Sequence, residues 1–321
     1  MNKLKEIINY KNLEKRVPDK QYLDLLKNIR DNGKDKIPIH DRLKENKSLP
    51  RGGSRELTGQ SLSYELSNGF PLLTERNLKK PFSGAIGELV AFLNGARTLD
   101  DLEKYGCPKM WWERWVSKEK CDIFGLEEGD LGDGSYGASL ASFHTKDNGF
   151  FNQVDAVLNQ IKERPYLRTH ILTTWNPPYS LGDESQNCPR KVVVAPCHGN
   201  FLHITLFDDT KELELVHLQR SADVPVGLQF NIIEWCAFGM MVAYLIDYKY
   251  TKYTHFLSNP HYYGVQNEAV ETLLSREPRK FPTVTLEPKK KITKIQDFRP
   301  SDFLIGNDYN PHPWITIPTP V

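Results

Sequence analysis

The sequence predicts a single domain of mixed helix and strand, and three observations carry that expectation. Segments with apolar residues at helical spacing take turns along the chain with segments of two-residue alternation. No internal repeat and no long low-complexity linker divides the 321 residues. A hydrophobic content of 39% can fill a sizeable core. Residues 1–58 read as a variable N-terminal helix and basic loop, part of the same domain as residues 59–321.

Tyr22, Leu25, Leu26 and Ile29 fall at helical spacing, and Gly33 can end that helix. Residues 34–58 are polar, contain Pro38 and Pro50, and carry Arg42, Arg51 and Arg55. A loop is expected there; it could grip an anion, and solvated loop charge is the plainer alternative. Ile86, Leu89, Val90 and Leu93 form the next amphipathic helix, closed by Asn94-Gly95, with Glu88 between its apolar positions. Trp111, Trp112 and Trp115 then crowd together, as core, interface or a stacking platform, with core favoured. Gly129 to Gly132 and Gly134 to Gly137 are turn chemistry. Val154, Val157, Leu158 and Ile161 make a helix that stops before Pro165, and Arg168 to Trp175 alternates as a strand.

The run Val192-Val193-Val194 ends at Ala195-Pro196, where the residue before proline favours extended geometry, so Cys197 is expected at a strand end. Phe201 to Phe207 alternates, Asp208-Asp209-Thr210 is a turn, and Glu212 to Arg220 alternates again, which predicts a hairpin or meander. Arg220-Ser221-Ala222-Asp223 is expected to leave the strand and reach Gly227 before a helix opens near Phe230. From Phe230 to Leu245 that helix is apolar around much of its surface, so it should be buried. Ser258 to Tyr263 reads as a polar and aromatic loop, and Lys289-Lys290-Lys291 as a solvated run. The proline-rich tail from Tyr309 to Val321 reads as an extended segment laid over something.

A formal charge of +1 gives no electrostatic argument for nucleic acid or an anionic membrane. No apolar run approaches the ~20 residues of a membrane span, and the start MNKLKEIINY lacks the compact apolar segment of a signal peptide, so the cytoplasm is expected. The five cysteines are irregularly spaced, odd in number and without a CxxC pair, which suggests neither a disulfide framework nor a zinc site.

The richest stretch is Val192–Asn231. Cys197 beside His198 suggests a thiolate nucleophile, since cationic neighbours lower a thiol pKa, and Arg220 is a second candidate neighbour. A cysteine hydrolase pairing Cys197 with His198 or His217 is one reading, and a buried inert cysteine is another. The remaining residues point elsewhere. Arg220-Ser221 offers a donor fork and a hydroxyl for phosphate, Asn231 can donate and accept along one edge of a planar amide-like ring, and His261 with Tyr263 could hold sugar hydroxyls. Phosphate, ring and sugar together describe a nucleotide.

The motifs APCH at 195–198, QRSADV at 219–224, FN at 230–231 and HYY at 261–263 resemble the thymidylate synthase family. NGFPLLTER at 68–76, GELVAFLNG at 87–95, TTWNP at 173–177, SREPR at 275–279 and YNPHPWI at 309–315 extend the resemblance across residues 59–321. It implies an α/β (α+β) fold with a large mixed sheet packed on the partner subunit's sheet, hence a homodimer. It also implies a pyrimidine nucleotide and 5,10-methylenetetrahydrofolate as co-substrates, with no metal. Cys197 would attack C6 of a uracil ring, Asn231 would read its O4 and N3 edge, Glu88 would move protons with ordered water, and Tyr136 would support proton abstraction at C5. Arg220, Ser221 and Arg168 from the other subunit would bind phosphate, with Arg42 a further candidate. Asp223, Trp112, Gly227 and the terminal Val321 would serve the folate side, and Gln219, His198, His261 and Tyr263 would complete the nucleotide pocket.

The chain also departs from the family pattern. Thr169 and Ala91 stand where a second arginine and a tryptophan are usual, Gln229 replaces a common proline, and Glu234 occupies a position usually small. These departures keep a pyrimidine-nucleotide hydroxymethylase open beside a thymidylate synthase, and Asn231 favours uracil over cytosine.

Overall fold

A seven-stranded mixed sheet organises the chain in the computed structural model, which describes residues 6–36, 53–145, 149–183, 185 and 187–319. Its strands are β1 (Lys34–Lys36), β2 (Ser54–Glu56), β3 (Gln60–Glu65), β4 (Ile171–Leu172), β5 (Phe201–Phe207), β6 (Glu212–Asp223) and β7 (Lys249–Tyr263). They lie in the order β1-β2-β7-β6-β5-β4; β3 pairs with the first half of β7 and β2 with its end. All pairs are antiparallel except β6 with β7. Parallel neighbours need a long crossover.

That crossover is a helix. The longer helices are α1 (Gln21–Asn32), α2 (Lys79–Leu93), α3 (Gln153–Glu163), α4 (Gly227–Ile246) and α5 (Asn267–Leu274). Helix α4 connects β6 to β7, packs on both strands and on α2, and is buried over most of its length. It is long and apolar enough to cross a membrane, but its apolar surface is spent on the sheet and α2. Close approach needs Gly239: a Cβ there would lie 2.3 Å from the Tyr250 ring on β7. Helices α1, α2 and α3 bury the apolar positions that the spacing singles out. The β5–β6 hairpin forms across the expected turn, with Phe201 opposite Leu218.

One sheet face carries Leu202, Ile204, Leu213, Leu215 and Tyr253, all buried beneath the helices. The opposite face brings Phe201, Leu218 and Phe256 side by side, with Ile171 and Val216 in the adjoining row. Ile171, Phe201 and Phe256 are exposed. An apolar stripe of this kind marks a surface that needs a cover.

Several expectations are corrected. Val192–Val194 is not a strand: Val192 and Val193 are buried in a connecting segment, tied by Val193 N–H to the Leu131 carbonyl at 3.2 Å. Cys197 therefore sits in a loop before β5. Of Arg168–Trp175 only Ile171–Leu172 pairs as a strand, at the sheet edge. Strand β6 does not end at Arg220 but runs to Asp223, and α4 opens at Gly227 rather than near Phe230. Ser258–Tyr263 is not a loop but the end of β7, because that stretch has β6 on one side and β2 on the other to supply ladder partners. Pro260 is tolerated there; its carbonyl accepts from Leu57 N–H at 3.0 Å. Within residues 34–58, β1 and β2 pair as strands, while Arg42 and Arg51 lie outside the described residues.

Candidate active site

The end of β6, the first turn of α4, the Cys197 loop and α2 converge on a cavity of about 510 Å³. Along β6 the alternating residues Gln219, Ser221 and Asp223 face it, as period two requires. Gly227 and Asn231, one turn apart on α4, present a second wall. Cys197 and His198 come from the loop, His261 and Tyr263 from the end of β7, and Glu88 with Trp112 from the opposite side. Eleven residues singled out in the sequence thus line one cavity.

Cys197 is held by its surroundings rather than by a histidine. Its backbone N–H donates to the Tyr136 hydroxyl at 2.7 Å, and its carbonyl accepts from Arg220 N–H at 2.8 Å and Ser221 N–H at 3.2 Å. The Arg220 guanidinium stacks on Trp175, donates to the Ala195 and Pro196 carbonyls, and reaches Cys197 Sγ at 3.5 Å. Burial pushes the thiol up, and the Arg220 charge and the Tyr136 hydroxyl pull it back down. The pairing of Cys197 with His198 or His217, one reading of the sequence, is overturned, because both imidazoles are engaged elsewhere. His198 Nδ1 accepts from Trp235 Nε1–H at 3.0 Å, and burial lowers its pKa to about 3. His217 Nε2 accepts from Gly199 N–H at 2.8 Å.

That last contact fixes the direction of a whole hydrogen-bond chain. With Nε2 accepting, His217 carries its proton on Nδ1 and donates to the Tyr253 hydroxyl at 3.1 Å. Tyr253 then donates to His255 Nδ1 at 3.1 Å, and His255 Nε2–H to Gln219 Oε1 at 2.9 Å. Gln219 Nε2–H donates to Asn231 Oδ1 at 2.9 Å, and Asn231 Nδ2–H donates to Glu234 Oε2 at 3.3 Å. The amide of Asn231 is therefore oriented from both ends. A flipped amide would set its NH2 against the Gln219 NH2.

Glu88 is buried, accepts from the Trp112 indole N–H, and has Cys107 Sγ at 3.9 Å from the same oxygen. Trp112 thus has a polar task beyond packing. Trp111 and Trp115 also line the cavity instead of filling core, and Trp111 lies against Phe230.

The tail forms the outer wall through Trp314, Thr316, Ile317 and Thr319. It is pinned by His312 N–H to the Thr74 carbonyl at 2.8 Å, Arg276 to the Pro313 carbonyl at 2.8 Å, and Gln266 to the Pro318 carbonyl at 2.9 Å. Gln266 also donates to Asp223 at 3.0 Å, so the tail and this carboxyl share one support. Burial raises Asp223 to about 6. Val321 lies outside the described residues.

Arg168 is exposed and does not line the cavity of its own chain. Thr169 and His170 both hydrogen-bond Gln160, at 3.1 and 2.8 Å, so neither replaces a second arginine here. Arg55 is committed to the Arg30 carbonyl at 2.7 Å and Asp35 at 2.8 Å. Sequence reasoning missed Arg76, which lies buried between Phe230 and Trp314 and donates to Gln229 at 2.8 Å. Its signal was present in the NGFPLLTER stretch. Glu234 was visible only as a departure from pattern, and its place beneath Asn231 needed the fold. A family model described as thymidylate synthase matches residues 20–321 of the chain.

Proposed function

The chain belongs to the thymidylate synthase family, and we propose that it transfers the one-carbon unit of 5,10-methylenetetrahydrofolate to C5 of dUMP and reduces it, giving dTMP and dihydrofolate. The observation that carries this reading is the shared cavity: a thiol faced by a guanidinium lies in the same space as an oriented amide and a buried carboxyl. Cys197, with Arg220 stabilising its thiolate, adds to C6 of the ring and makes C5 nucleophilic. Asn231 accepts from N3–H and donates to O4 with the hydrogen-bonding capacity left free by Gln219 and Glu234. Glu88 moves protons between ring, water and folate, and the Tyr136 hydroxyl acts beside the sulfur.

Arg220 and Ser221 bind the phosphate, together with Arg168 donated across a homodimer interface. The exposed position of Arg168 and the apolar stripe of Ile171, Phe201 and Phe256 on the uncovered sheet face support that assembly. His261 and Tyr263 take the sugar. Asp223, Trp112 and Gly227 serve the folate side, and the tail excludes water. The protein acts in the cytoplasm. A hydroxymethylated product is the second reading, kept open by Ala91 and Glu234 as departures from the family pattern.

The test mixes the protein with dUMP and 5,10-methylenetetrahydrofolate, follows dihydrofolate by absorbance and identifies the nucleotide by mass. A methylated nucleotide with matching dihydrofolate is expected. A hydroxymethylated nucleotide without dihydrofolate would establish the second reading. Undiminished turnover in Cys197→Ala would remove the mechanism.

A further inference from the structure

Beneath the cavity, the buried Glu234 Oε1 has no donor among the described residues. Its partner oxygen Oε2 is accounted for by Asn231 Nδ2–H at 3.3 Å. Besides Asn231, with His198 Nδ1 3.7 Å from Oε2, the carboxyl of Glu88 is a hydrogen-bonding neighbour of Glu234. Two carboxylates are acceptors only, so they cannot satisfy each other, and two buried negative charges repel. A single proton between them turns the contact into a strong hydrogen bond and supplies the missing partner.

The surroundings bear on where that proton stays. The other titratable groups facing the pair are Cys107, Tyr136, His198 and Tyr253. Burial raises Cys107, Tyr136 and Tyr253 and lowers His198, so all four favour their neutral forms and none offsets a second negative charge. Glu234 is 0% exposed, which makes its charged form costly. Burial first, and then the charge of Glu88, push the Glu234 carboxyl well above the usual carboxylate range.

We propose that Glu88 and Glu234 hold one proton between them, carried on Glu234 and donated to Glu88, and that Glu234 is a positioning residue joining the Asn231 amide to the Glu88 carboxylate. The hydrogen-bond chain that begins at Gly199 thereby ends on the group that moves protons. This catalytic consequence rests on the function proposed above; the shared proton does not.

The experiment has two arms. Infrared spectra of the resting protein at pH 8.5 are recorded for the full chain, Glu234→Gln and Glu88→Gln. The full chain should show a protonated-carboxyl C=O band that Glu234→Gln lacks and Glu88→Gln shifts, because an amide replaces the carboxylate acceptor. Loss of a carboxylate band instead in Glu234→Gln would overturn the proposal, since Glu234 would then be ionised. In the second arm, the alkaline limb of the pH–rate profile should move to lower pH in Glu234→Gln by at least about one unit, because Gln donates an N–H to Glu88 and removes the shared proton. An unmoved limb beside a lost protonated band would sink the positioning role and leave the proton. Absent turnover in every protein would reject the proposed function, while the infrared arm still decides the dyad.

Discussion

Glu75→Gln tests how far a buried carboxyl away from the reacting groups governs the stability of this fold. Glu75 is 1% exposed and its Oε2 accepts from Thr74 N–H at 2.8 Å. Burial raises it from 4.5 to about 7, against the smaller opposing effect of backbone donors. Below pH ~4.3 the carboxyl is protonated in folded and unfolded chains alike, and it adds no pH dependence. As pH rises from there towards 7, the unfolded chain sheds a proton that the folded chain keeps, so stability falls. At ~1.4 kcal/mol per unit of pKa, ionised Glu75 costs the native state about 3 kcal/mol above pH 7. Glutamine keeps the acceptor for Thr74 and removes the charge. Urea unfolding at fixed protein concentration should therefore show the variant gaining about 3 kcal/mol relative to the parent between pH 4.5 and pH 8. Parallel stability–pH curves would mean that burial does not raise the Glu75 carboxyl.

Three further outcomes are expected. Arg220→Met removes the cation 3.5 Å from Cys197 Sγ, so alkylation of Cys197 by iodoacetamide at pH 7.5 should slow about tenfold or more; an unchanged rate would show that Arg220 does not tune the thiol. Trp112→Phe deletes the N–H donated to Glu88, and a hydrogen bond to a charged group contributes about 1.5–3 kcal/mol, so kcat/KM should fall roughly 10- to 100-fold with little change in nucleotide Kd. A matching loss of nucleotide binding would instead assign Trp112 a packing role. Gly239→Ala places a Cβ 2.3 Å from the Tyr250 ring and should cost about 1–3 kcal/mol in urea unfolding, whereas parental stability would mean that α4 moves freely off β7.

Helices α1 and α3 and the β5–β6 hairpin were legible because each buries one face, so burial leaves its period in the sequence, whereas α2, expected to be amphipathic, is buried on every side from Gly84 to Leu93. The end of β7 was misread for the converse reason. Asn259, Pro260 and His261 have poor strand propensity, and their strand is imposed by neighbours on both sides. The same holds for Ser221 to Asp223, whose turn-like composition is overridden by pairing with Asn259 to His261. The cavity-lining residues were legible as a resemblance, because the family's motifs keep their residue types in order along the chain.

Residue types and their order were enough for the family, the alternation of elements and the inventory of a thiol, an amide, a carboxyl and a guanidinium. Which groups meet depended on the packed fold. It set Arg220 rather than His198 or His217 against Cys197, gave Trp112 to Glu88, oriented Asn231 through His217, Tyr253, His255 and Gln219, and placed Glu234 beneath it. The difference is one of reach. Propensity and period act over a few neighbouring residues and can pair Asn231 with Glu234 or Tyr253 with His255, whereas the other contacts join strands, loop and helix across longer separations, and their partners exist only once burial has forced polar groups to find one.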